Sequence, residues 1–170
     1  MKKLRVFAVI FAALMLLAVP ARAEGTAEDA LSAFFKSLDA KNYAKAWDLI
    51  SDTSKNFIAE AVKAQLDSVL EKDESAEAQE AKQLLNADLI RGMFAAGNNE
   101  IVETFWTGFC EGYEKEGKTM KGLAEQKWVH AADSGVGDAC VLATDMDGTD
   151  GMHMFKENGE WKVGLIEGEE

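Results

Sequence analysis

Proline, cysteine, histidine and positive charge are all scarce in this chain of 170 residues. It has one Pro, two Cys and two His, and 18 Lys and Arg against 30 Asp and Glu. The single proline, Pro20, lies near the start, so nothing beyond it carries that residue's obligatory break in helix or sheet. His130 and His153 stand far apart and give no zinc-ligand spacing. No phosphate loop, dinucleotide glycine pattern or nucleophile-elbow motif is present, and no cofactor is expected. The shortage of Lys and Arg argues against nucleic acid or an anionic membrane as partner, because phosphate binding rests on those side chains. The acidic excess serves solubility first. Its sharper reading is attraction to a basic partner or a cation, and the even spread of the acids favours the first.

Long apolar runs are equally scarce. The one that exists, Val6 to Val19, is 14 residues long. It follows Met1-Lys2-Lys3-Leu4-Arg5 and precedes Pro20 and Ala21-Arg22-Ala23. Charged start, short apolar core and small-x-small site are the three parts of a cleavable signal peptide. A spanning helix needs roughly 20 apolar residues. Residues 1–23 are therefore expected to be removed near Ala23. The remaining single domain, 24–170, would be periplasmic or secreted, with no integral membrane segment. That domain carries 14 Lys and Arg against 30 Asp and Glu, a formal charge of −16. In an oxidising compartment two cysteines tend to pair. A Cys110–Cys140 disulfide is expected over two buried thiols or one reactive thiol. Its loop of ~30 residues would contribute roughly 3 kcal/mol.

Helical periodicity dominates the front of the domain. Thr26 with Asp29 forms a capping-box pattern before Ala27, Ala30, Leu31, Phe34, Phe35 and Leu38. Asp39 to Asn42 interrupts it, and Tyr43, Ala46, Trp47, Leu49 and Ile50 predict a second short helix. Ser51 to Ser54 reads as a turn with cap character. A third helix carries Phe57 to Leu70, and Glu71 to Glu80 reads as a charged linker or exposed helical turn. Leu84 to Phe94 predicts another helix, stopped by Gly97. Ile101, Phe105, Phe109 and Tyr113 then recur at every fourth position, a helix face that is also a candidate homodimer surface.

From Gly117 the pattern changes to strands: Leu123–Ala131, Ala139–Ala143, Met152–Phe155 and Trp161–Ile166. Asn158-Gly159 marks a tight hairpin. The expected class is α+β, with N-terminal helices packed on a C-terminal antiparallel sheet.

Two stretches carry a family likeness. One runs from Ala30 through Phe34, Phe35, Asn42, Tyr43, Ala46 and Trp47 to Ser51; the other is Phe155-Lys156-Glu157-Asn158-Gly159-Glu160-Trp161-Lys162-Val163. Together they resemble the nuclear-transport-factor-like superfamily, with its cystatin-like cone, and are most similar to exported bacterial members of unknown function. The resemblance implies a curved sheet whose concave face is filled by Phe34, Phe35, Tyr43 and Trp47, with Trp161 pinning the last strand to it; Trp128 and Trp161 join those four as candidate pocket or core lining. Residues 71–117 depart from the family pattern as an extra helical insertion that could cover the cone's mouth.

No catalytic residue stands out. An isomerase or dehydratase related to the family's enzymes would need an acid–base group inside the cone. Tyr43, Tyr113, His130 and His153 are the available groups, and no motif links them. Asp145, Asp147 and Asp150 only faintly suggest a metal loop, lack its closing Glu, and read as an acidic turn. The expectation is an exported soluble domain, non-enzymatic, binding a small apolar ligand or a protein partner in the cell envelope. The alternatives are the isomerase-type enzyme and a structural envelope protein.

Overall fold

The computed structural model describes residues 25–133, 139–144 and 151–165. The expected signal segment 1–23 and the acidic turn Asp145, Asp147 and Asp150 lie outside the described residues. Within them the chain runs through seven helices and then four strands, the α+β order expected from the sequence.

Helix α1 (Ala27–Asp39) starts at the capping box. The Thr26 hydroxyl accepts the Asp29 N–H at 3.2 Å, and the Asp29 carboxylate accepts the Thr26 N–H at 3.2 Å. Asn42 caps α2 (Tyr43–Asp48), and Ser51 caps α3 (Asp52–Leu70). The serine-rich segment expected as a turn is thus the first turn of α3, because the Ser51 hydroxyl accepts the Ser54 N–H at 3.0 Å.

The middle segment holds α4 (Ala76–Leu84), α5 (Ala87–Ala96) and α6 (Glu100–Lys115). Leu84 and Leu89 fall on separate helices, not on one as expected. Asn86 splits them, its side chain accepting the Leu89 N–H at 2.8 Å to begin α5. Gly97 ends α5 in the left-handed region at φ 70°. A Cβ at Gly97 would stand 2.4 Å from the Ala44 backbone nitrogen, so handedness and lack of room both demand glycine.

A correction applies to residues 123–125. Expected at the start of a strand, they belong to helix α7 (Met120–Glu125). Thr119 caps it by accepting the Gly122 N–H at 3.1 Å, and Met120, Leu123 and Ala124 are buried. Six residues are too few for periodicity to separate helix from strand.

Strands β1 (Val129–Asp133), β2 (Ala139–Ala143), β3 (Met152–Glu157) and β4 (Glu160–Gly164) form an open antiparallel sheet in the order β1-β2-β3-β4. Asn158 and Gly159, at φ 53° and 83°, make the tight β3–β4 turn that the sequence announced. Helix α1 lies against β2, β4 and α7, while α2 contacts α5 and α6. The far edge of β4 is met by the α2–α3 junction. Ile50 and Val163 form a parallel bridge, Ser51 N–H donates to Val163 O at 2.9 Å, and Val163 N–H donates to Leu49 O at 2.8 Å. The Ser54 hydroxyl accepts the Leu165 N–H at 2.9 Å.

The core is aromatic and lies between α1 and both of its coverings. Trp106, Phe34, Phe35 and Phe94 are its largest fully buried side chains. Burying a side chain of this kind contributes about 1.5–3 kcal/mol. No helix among the described residues is long and apolar enough to cross a membrane.

Candidate functional site

The six expected lining residues separate into three situations. Phe34, Phe35, Trp47 and Trp128 belong to one continuous aromatic array. Trp47 meets Phe94 at 4.6 Å, Phe94 meets Trp106 at 6.4 Å, and Trp106 meets Phe34 at 6.0 Å. Phe34 touches Phe35 at 5.2 Å, and Phe35 stacks on Trp128 at 5.9 Å and 10°. Trp128 Nε1 donates to Leu123 O at 3.2 Å. Trp161 is half-buried on β4, opposite Lys156, and makes no ring contact among the described residues. Tyr43 is buried but forms part of a cleft wall.

The array includes Phe94 of α5 and Trp106 of α6. The middle helices therefore supply much of the packing for Phe34 and Trp47. Val102 and Trp106 form the buried edge of α6, while Ile101, Phe105, Phe109 and Tyr113 are only half-buried.

The candidate acid–base groups do not converge. The Tyr113 hydroxyl meets Met152 Sδ at 3.7 Å. His130 is exposed on β1 with Nε2 3.0 Å from Asp133 Oδ1. His153 lies parallel to Phe155 on β3. None of the three lines a cleft with another among the described residues.

The expected disulfide is corrected: Cys110, half-buried on α6, and Cys140, buried on β2, are free thiols. Burial, then Glu114 and Asp39, push the Cys110 thiol up. Burial first, then Glu28 and Asp133, push Cys140 up to about 11.

Surface clefts among the described residues include the following three. The most apolar, about 300 Å³, lies between α3 and α6 and is lined by Val62, Gln65, Leu66, Val69, Glu100, Ile101, Thr104 and Phe105. Its α3 wall arises because that 19-residue helix buries only Ser54, Ile58 and Ala59, all in its first half. The remainder projects with Val62 and Leu66 half-covered and Val69 59% exposed. A second cleft of about 440 Å³ has a balanced lining of Asp48, Asp52, Lys55 and Arg91 beside Trp47. Three of these four charges are engaged within the fold, with Lys55 bound to Asp52 at 3.3 Å and Arg91 bound to Asn56.

A third cleft, also about 300 Å³, opens between α6 and the α1–α2 connection. Thr107, Cys110, Glu111 and Glu114 of α6 face it at positions i, i+3, i+4 and i+7, one helical stripe. In the sequence that stripe is masked by the stronger apolar row at 101, 105, 109 and 113 on the same helix. Among the described residues no group of three or more His, Cys, Asp or Glu is placed to hold a metal.

No family model, curated protein or solved structure matches the chain.

Proposed function

We propose that the chain is an exported, non-enzymatic binding domain that docks an apolar helix of a protein partner in the groove between α3 and α6. The observation that carries this is the projecting half of α3. Val62, Leu66 and Val69 face Ile101 and Phe105 across an open channel, and only Glu100 brings charge to its wall. Apolar anchors at three- and four-residue steps are what helix-in-groove recognition uses. The chain's formal charge of −12 favours a partner helix flanked by Lys or Arg. Export rests on the apolar run Val6–Val19 and the Ala21-Arg22-Ala23 site. The likeness to the nuclear-transport-factor-like cone belongs to this reading, and the four-stranded meander beneath α1 is compatible with it.

The isomerase alternative has less support, because Tyr113, His130 and His153 do not converge on one cleft among the described residues. A photo-crosslinking residue placed at Val69, with the same residue at Lys121 as control, tests docking in the native envelope. A partner captured at position 69 alone, and lost on Leu66→Asp, is expected. Equal capture at both positions, or none at 69, overturns the reading.

A further inference from the structure

We draw no further inference here: the strongest candidate, the outer edge of β1 in the open sheet, has no ladder partner among the described residues, and nothing in the structure shows what covers it.

Discussion

Lys162 of β4 donates its ammonium to the main-chain oxygen of Asp48 at 2.8 Å, across 114 positions of sequence. It also binds the Glu160 carboxylate at 3.1 Å, and only 8% of the residue is exposed. The long side chain thus pins the last strand to the end of α2. Lys162→Met keeps the stem and removes the charge. The expected loss of stability is about 1.5–3 kcal/mol, the range for a hydrogen bond to a charged group. Urea unfolding measures it, and a loss below about 0.5 kcal/mol would show that the contact is idle.

Trp106 poses a different question. Its indole nitrogen is buried with no hydrogen-bond partner, while Phe34, Phe94, Phe105 and Phe109 meet its ring edge to face. Trp106→Phe removes the unsatisfied donor and keeps an aromatic ring. Its cost is expected within about 1 kcal/mol of zero, because relief of the buried donor offsets the lost volume. Trp106→Ala is expected to cost about 3–5 kcal/mol. Similar losses for both variants in thermal or urea unfolding would mean that the nitrogen contributes after all.

Two glycines with the same handedness should behave differently. Gly97 and Gly117 have φ of 70° and 77°. Around Gly117 a new Cβ meets nothing within 4 Å, whereas at Gly97 it would strike Ala44. Gly117→Ala is expected to cost about 1–2 kcal/mol, the strain of left-handed backbone alone. Gly97→Ala adds a collision with main chain at the α5–α2 contact and is expected to exceed about 3 kcal/mol. Comparable unfolding midpoints for the two variants would refute this account.

The thiols give a prediction in pH. Intact mass is expected to be the same with and without reductant, since Cys110 and Cys140 are unpaired. Burial first, then Glu28 and Asp133, raises Cys140 from the ordinary 9.0 to about 11. A raised folded-state value means that the native state holds the proton more tightly. The resulting stability is complete below pH 9.0 and is lost as pH climbs toward about 11. The stability difference between the parent chain and Cys140→Ala is therefore expected to shrink between pH 9 and 11 in urea titrations. A constant difference across that window would contradict it.

Long elements with steady periodicity were legible in the sequence. The Thr26–Asp29 box, the α1 face through Leu31, Phe34 and Phe35, and the Asn158-Gly159 hairpin all follow from local chemistry. Short elements were not, because helix α7 spans only six residues and its cap at Thr119 carries little weight without tertiary contacts. The cysteine pairing failed for a related reason. Spacing along the chain says nothing about whether a thiol on α6 and one on β2 come together in the fold. Of the cleft residues, Tyr43 was named as pocket or core lining. The carboxylates beside it come from separate parts of the chain, Asp39 on α1 and Glu111 and Glu114 on α6, and only the fold brings them together.

The bridge between Ile50 and Val163 also governs the order in which the molecule can be completed. The β3–β4 hairpin forms from neighbours in sequence, a fast event. Its seam with the α2–α3 junction joins residues more than a hundred positions apart and waits on the slow closure of that long loop. A nascent chain emerging from the ribosome can assemble α1 to α6 early, but the backbone groups of Leu49 and Ser51 stay without their β4 partners until Val163 arrives. Ribosome-stalled chains ending before β4 should thus remain protease-sensitive at the start of α3, and resistance should arrive abruptly once that strand is clear of the exit tunnel.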